Sequence, residues 1–284
     1  MIRWIIMVVA TLASGCVHVR DFRAPSERIT PNTAYAEHSR VRVDADLLAA
    51  DPHTFVLNLG LTVAAIRSRL DFAVNLAHGA LGVVNLQSKF TIIDSRWYAL
   101  GGRVGIIYAN PRTFYVLPRA LRRELGGFHL VSAPVELWHS FPINRWFAAH
   151  LGMSYRATGL RGEYSGDELF VDTSVAQRGF ALIPYLDFFI ARRVALRLGA
   201  RLPIVTQVVE ATELQRQLEP ELIVGVRSVE WLRRPFARTV VLQLGAETRF
   251  GRHTHLLLGV NVWAFRPIAP TPIMPWLSFY WRFK

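Results

Sequence analysis

Apolar and polar positions alternate along most of this chain, and the last segment shows the pattern most clearly. From Pro275 to Phe283 every second side chain is apolar, whereas Ser278 and Arg282 fall on the opposite face. A period of two residues is typical of a β-strand whose two faces meet different surroundings. At least nine comparable segments precede this one. The pattern therefore predicts an all-β, antiparallel protein.

The two faces of these strands favour a membrane barrel over a soluble sandwich. In Val194–Ile204 and Val240–Phe250, an aliphatic face stands opposite a face on which glycine accompanies charged residues. Small and charged side chains suit a crowded, hydrated interior, and aliphatic side chains suit lipid. Aromatic residues lie near the inferred strand ends, where an interfacial girdle would be: Trp97, Tyr108, Trp146, Tyr155 and Trp263.

Short and long connections alternate between the strands. Tight turns are predicted near residues 66–69, 94–96, 143–145, 191–193 and 251–253, and longer connections near 77–81, 110–127, 159–178, 208–237 and 266–273. Outer-membrane barrels have short periplasmic turns and longer outer loops. If the tight turns and the end of the last strand are periplasmic, the strand at His53–Val63 must run toward the periplasm. Another strand must then precede it, and the weaker alternation at Arg40–Leu48 supplies this strand. We predict a closed antiparallel transmembrane β-barrel of about 12 strands over residues 40–284, with 10 strands as the alternative.

The first residues predict export. Residues 1–15 hold a basic residue and then the apolar run Trp4–Leu12, as in a signal peptide, and the run is too short to span a bilayer as a helix. Cys16 stands where a bacterial lipoprotein is lipidated, although Ala13 replaces the usual leucine. We expect a lipid on Cys16, with ordinary cleavage near the same point as the alternative. Residues 16–39 would form a lipid-anchored or flexible linker.

Composition narrows the choice of class. The chain is 51% hydrophobic and has a net charge of +12. All of its Lys and Arg residues are arginines except Lys89 and Lys284. The arginines are scattered and accompany no recognition motif, so we predict no nucleic-acid partner. A single cysteine excludes an intrachain disulfide.

Over about residues 40–284 the chain resembles a Gram-negative outer-membrane β-barrel protein. Its C-terminal segment is similar to the signal that the barrel-assembly machinery recognises, but Lys284 follows the final aromatic residue. The residues that carry this similarity are Trp276, Phe279, Trp281 and Phe283. The resemblance implies an outer-membrane location, with membrane lipids, lipopolysaccharide and the assembly machinery as partners. It is to a class and identifies no subfamily.

The polar faces predict what lines the lumen. The predicted lumen-lining ionisable residues are Asp71, Lys89, Arg103, Glu136, Arg156, Asp187, Arg197, Arg201, Glu247, Arg249 and Arg282, seven basic and four acidic. One interpretation is a barrel filled by mutually paired side chains. About eight strands just enclose a filled interior and sixteen leave a channel, so a count of twelve does not decide between a filled and an open lumen. The other is a narrow, anion-favouring passage for small solutes. We predict a non-enzymatic protein with an envelope-structural or passive transport role.

Two alternative functions stay open: an outer-membrane enzyme acting on lipid, of the deacylase or phospholipase type, and a soluble periplasmic β-sandwich lipoprotein. His150 and Ser154 share a strand face but lie about 13 Å apart at about 3.3 Å per residue, too far for a direct hydrogen bond. His129 and His139 are expected to face lipid or to lie at strand ends. The His-x-His pair at 253–255 has no third ligand in reach. We predict no catalytic residue, metal or cofactor.

Overall fold

The structure is a computed structural model that describes residues 33–47, 57–110, 119, 127–144, 146–165, 169–191, 193–216, 222–225, 240–250, 253–264 and 273–283. The strands are β1 (Val41–Leu47), β2 (Leu57–Ile66), β3 (Leu70–Asn75), β4 (Val83–Asp94), β5 (Ala99–Ala109), β6 (His129–Pro142), β7 (Phe147–Ser165), β8 (Leu169–Ala191), β9 (Val194–Arg216), β10 (Leu222–Gly225), β11 (Val240–Phe250), β12 (Thr254–Ala264) and β13 (Ile273–Phe283). The helix α1 (Leu76–Ala80) joins β3 to β4.

Twelve of these strands form a closed antiparallel ring. Each strand pairs with its neighbours in chain order, except that β9 pairs with β11, and β1 returns to pair with β13 from Val41↔Phe283 to Leu47↔Leu277. The short β10 pairs with the end of β9, at residues 212–215, beyond the part of β9 that pairs with β11. The predicted 12-strand barrel is confirmed, including the strand that parity required near 40–48.

The barrel has its apolar face outside. On β4, Val84 and Leu86 are 46% and 49% exposed, whereas their neighbours Asn85 and Lys89 are 5% and 8% exposed on the inner face. The same inversion recurs on β11, where Leu244 is exposed and Gln243 is buried. A water-soluble sheet would place these faces the other way round. The exterior is therefore the surface that contacts lipid.

Glycine on the inner faces makes room for large aromatic rings. A Cβ on Gly245 or Gly259 would lie 2.8 or 2.5 Å from the indole of Trp276, and one on Gly152 would lie 2.6 Å from the indole of Trp138. These distances are shorter than any real Cβ contact. The glycines on the polar faces thus let inward aromatic rings lie flat over the neighbouring strands of the wall.

The five connections predicted as tight turns lie at one end of the barrel, the short-turn end, together with the start of β1 and the end of β13. The long connection predicted at 159–178 is for the most part a pair of strands in the structure. Strands β7 and β8 remain paired as far as Ser165↔Phe170, so most of that stretch is a long hairpin. Beyond the membrane, backbone pairing continues although the side chains no longer need to alternate, and the sequence pattern fades there. Within the described residues, no helix has the length and apolarity needed to cross a bilayer.

Candidate functional site

The residues just before β1 lie inside the barrel. Thr33, Ala34, Tyr35, Ala36 and Glu37 are each at most 3% exposed, and we call residues 33–39 the luminal segment. The sequence placed this stretch in the linker. It contains no strand, and it crosses the lumen at the end where the short turns lie.

Glu37 fastens the luminal segment by charge. Its Oε2 lies 2.8 Å from Arg42 Nη1, and its Oε1 lies 3.2 Å from Arg282 Nε. The backbone N–H groups of His38 and Ser39 also donate to Oε1, each at 2.9 Å. Burial alone would raise the pKa of Glu37, but the two guanidinium groups outweigh it and lower the pKa to about 2. The carboxylate is therefore charged at neutral pH.

The rest of the luminal segment is held by hydrogen bonds to three strands and by close packing against a fourth. Glu37 N–H donates to Asp71 on β3 at 2.6 Å, and Ala36 N–H donates to Thr91 Oγ1 on β4 at 2.8 Å. Ala34 N–H donates to Ser140 Oγ on β6 at 2.9 Å. On β5, the absence of a side chain at Gly101 lets the Ala34 carbonyl rest against the strand, because a Cβ would clash with it.

Tyr35 reaches the far wall of the barrel. It belongs to a buried apolar cluster with Ala99, Trp138, Ile183 and Tyr185, which come from β5, β6 and β8. The segment thus extends from the β13–β1 side to the β8 side. It occupies the lumen near the short-turn end.

Four polar side chains next to Ala34 form a chain of contacts. Ser140 and His150 are directly opposite each other on β6 and β7. Ser140 Oγ lies 2.8 Å from His150 Nδ1, and His150 Nε2 lies 3.2 Å from Asp187 Oδ2. Arg197 contacts both oxygens of Asp187, at 2.8 and 3.0 Å. Sequence reasoning compared His150 with Ser154 on the same strand and missed this cross-strand partner.

The predicted lumen residues fall into paired groups. Arg103 Nη2 lies 2.6 Å from Glu136 Oε2, and Asp71 stands opposite Lys89 in the β3–β4 register with both side chains buried. Glu247 accepts hydrogen bonds from His255 and Tyr280, and Arg282 contacts the luminal segment as given above. The remaining three, Arg156, Arg201 and Arg249, are half-buried on inner faces.

Four further charged groups line the interior. They were not in the predicted set, because Glu37 lies in the stretch assigned to the linker, and Arg42, Asp44 and Asp46 lie on β1, whose alternation is weak. Added to the predicted residues, they give eight basic and seven acidic groups (7 + 1 and 4 + 3) on inward positions whose side chains the structure describes. This near balance differs from the basic excess that the sequence suggested. It reflects a lumen whose charges largely pair with one another.

Two of the other histidines, His129 and His139, lie away from this interior group, whereas His255 belongs to it. His129 and His139 lie on outward positions of β6 and contact tyrosine hydroxyls, Tyr108 at 3.0 Å and Tyr98 at 2.8 Å. His255 stacks on Tyr280. Across the described ranges, no cluster of three His, Cys, Asp or Glu side chains could hold a metal ion.

The residues of the predicted assembly signal divide between the two faces of β13. Trp276 is buried and points inward, whereas Phe279, Trp281 and Phe283 lie on the outer face. Cys16, the expected signal peptide and most of the predicted linker lie outside the described residues.

A closed antiparallel ring with an even number of strands, lipid-facing aliphatic side chains outside and charged pairs inside is the architecture of bacterial outer-membrane proteins. The chain is an outer-membrane β-barrel protein. No family model matches its sequence, and no curated protein matches it either.

Solved structures give only distant likenesses. The chain is similar to the toluene transporter TodX of Pseudomonas putida, with 8% identity over 92% of this chain and 93% of that one and a TM-score of 0.36. It is similar to the toluene transporter TbuX of Ralstonia pickettii, with 8% identity, 89% and 92% coverage and a TM-score of 0.40. With the ferric citrate transporter FecA it shares 12% identity over 78% of this chain, with a TM-score of 0.41, and it spans 36% of that protein.

Proposed function

We propose that this barrel is a passive conduit for small solutes whose resting state is closed by its own luminal segment. The observation that carries the proposal is the seat of Glu37, buried between Arg42 and Arg282 at the short-turn end. A segment that lies across the lumen and is fastened by side-chain contacts is built to obstruct passage.

Water can replace the ion pairs and hydrogen bonds that hold the luminal segment. A buried ion pair gains little net stability, because the desolvation of both charges offsets their attraction. When the segment leaves, Glu37 and its two arginines regain water, and so do Thr91 and Ser140. The open state therefore has hydrated groups and no orphaned charge, which supports a movable closure over a permanent filling.

The positions of the charges support a preference for anions in the open lumen. Counted along their strands from the short-turn end, Arg156 and Arg201 lie farther out than any described inward carboxylate, of which Glu136 is the farthest. Arg103 and Arg197, two other predicted lumen-lining residues, are paired with carboxylates. Among the side chains that the structure describes, the inward charges farthest from the luminal segment are thus positive, and the charges near that segment are balanced.

Planar-bilayer recording of the full chain tests this function. We expect low conductance from the native protein and a larger, anion-selective conductance from Glu37→Gln. A second pair of changes, Arg156→Gln with Arg201→Gln in the Glu37→Gln background, should reduce the selectivity and keep the conductance. Asp94→Asn is the matched control, since it removes an exposed carboxylate at the same end.

A barrel that stays silent after Glu37→Gln would contradict the conduit and leave the envelope-structural role. The paired interior charges favour that second role, because they fill space without leaving a free ion path. That the protein is not an enzyme stays a prediction.

A further inference from the structure

Ser140, His150 and Asp187 stand in the order of contacts that an activated serine requires. Such a nucleophile needs a base within hydrogen-bond reach and a third group that orients the base. Ser140 Oγ lies 2.8 Å from His150 Nδ1, and His150 Nε2 lies 3.2 Å from Asp187 Oδ2. Arg197 fixes the carboxylate through both of its oxygens. Against the prediction from the sequence that the protein is not an enzyme, we propose that this group is a serine ester hydrolase site that the luminal segment masks.

The contacts assign each proton consistently. Ala34 N–H donates to Ser140 Oγ at 2.9 Å, which directs the hydroxyl hydrogen toward His150 Nδ1. His150 then carries its own hydrogen on Nε2, which lies 3.2 Å from Asp187 Oδ2 but makes no hydrogen bond to it. The imidazole can thus accept a proton from the serine, and the nearby carboxylate stabilises by its charge the cation that results.

The luminal segment keeps the serine out of reach. Ser140 is 0% exposed, and Ala34 lies directly on its oxygen. Reaction with a substrate therefore requires the segment to move, so the inference rests on the movable closure proposed above.

Tyr35 marks the place of the substrate's apolar group. Its side chain lies among Ala99, Trp138, Ile183 and Tyr185. Two of these side chains are held in place by hydrogen bonds: Trp138 Nε1 donates to Glu136, and the Tyr185 hydroxyl donates to Gln243. Withdrawal of the segment leaves an apolar pocket about the size of a tyrosine ring next to Ser140. The substrate class is an ester that carries an apolar group of that size.

The reaction balances with water as the second reactant. Ser140 Oγ attacks the ester carbonyl carbon, and its proton passes to His150 Nδ1. The bond to the alcohol oxygen breaks, and the alcohol leaves with that proton. A water molecule then gives a proton to His150 and attacks the acyl-serine, which releases the acid and restores the hydroxyl.

A fluorophosphonate probe, which phosphonylates activated serines, tests the site in the full chain folded in detergent. We expect the native protein to react slowly and Glu37→Gln to react about a hundredfold faster, since about 3 kcal/mol of docking energy is removed. The reaction should disappear in Glu37→Gln with Ser140→Ala. It should persist in Glu37→Gln with Ser154→Ala, a matched control because Ser154 is also a buried inward serine.

A thiol introduced by Ala36→Cys reports separately whether the segment has moved. If that thiol reacts with maleimide in Glu37→Gln but the probe leaves Ser140 unmodified, the hydrolase site is refuted and the conduit stands. If labelling survives Ser140→Ala, the site is refuted as well. If the thiol stays protected, the movable closure fails and this inference fails with it.

Discussion

Replacement of Glu37 by glutamine tests whether charge holds the luminal segment in the barrel. The Glu37 side chain is fully buried, with Arg42 at 2.8 Å and Arg282 at 3.2 Å. Glutamine keeps the shape and one acceptor oxygen but removes the negative charge. Two guanidinium groups then remain at the site with one carboxylate fewer between them.

Two independent estimates of the loss agree. Removal of one partner from a buried ion pair costs about 3–5 kcal/mol. A pKa that falls from 4.5 to about 2 corresponds to about 3 kcal/mol of preferential binding of the charged form. Because Arg42 keeps Asp44 at 2.8 Å, we expect the lower end of the range. A loss of about 3 kcal/mol raises the population of the undocked segment about a hundredfold.

Thiol labelling at position 36 measures that population. Ala36 is 0% exposed, so a cysteine there reacts with maleimide only when the segment leaves. The Cys16→Ser background makes the introduced thiol the single one in the chain. We expect Glu37→Gln to raise the labelling rate about a hundredfold at neutral pH.

Asp94→Asn is the control, because it makes the same change of charge at an exposed position of the same barrel end. We expect its labelling rate to match that of the Ala36→Cys protein. Equal rates for the two variants would refute the argument that charge docks the segment. Fast maleimide labelling of the Ala36→Cys protein without any change at Glu37 would show that the segment is not docked at all.

Three further predictions follow from the same contacts and from the orientation of the barrel faces. The lowered pKa of Glu37 stabilises the docked segment fully above pH 4.5, and this stabilisation is lost as the pH falls toward about 2. Conductance should therefore rise between pH 4.5 and about 2 in the native protein and stay level in Glu37→Gln. Asp71, Asp44 and the two arginines face the same carboxylate, and a native conductance that does not change over this range would contradict the prediction. Gly101→Ala should speed labelling at position 36 because its Cβ meets Ala34, whereas Gly159→Ala, with open space around it, should not. Leu244→Arg should lower the free energy of unfolding in lipid by about 2–4 kcal/mol, and Ala176→Arg, on the hairpin extension, should change it little, as urea titration of folded barrels would measure.

The barrel itself could be predicted because lipid imposes a rule on every strand. Each residue that faces lipid must be apolar, so the sequence repeats with a period of two wherever a strand crosses the membrane. The direction of the last strand, Pro275–Phe283, fixes the direction of every strand before it. Counting the strands back from it predicted β1 despite the weak pattern of that strand. Where β7 and β8 leave the membrane, the rule lapses, and the hairpin was missed for that reason.

The luminal segment could not be predicted in the same way. Its contacts with Thr91, Ser140 and Glu37's arginines join side chains far apart in sequence, and a non-strand segment has no period. The Ser140–His150 contact, in contrast, was within reach of sequence reasoning. A tight turn at 143–145 fixes the register of its two flanking strands, and that register places Ser140 opposite His150. Comparison along one strand concealed a pair that lies across two.

Net charge alone misjudges such a lumen. Seven basic against four acidic residues suggested an anion path through the whole barrel, yet Glu37, Asp44 and Asp46 bring the described inward charges close to balance. Paired charges create little field at a distance, so selectivity depends on where the positive charges lie relative to the carboxylates. Arg156 and Arg201 lie farther out along their strands than the described inward carboxylates. A conduit that is neutral at its closed end and positive above it would gather anions first and release them only when the luminal segment moves.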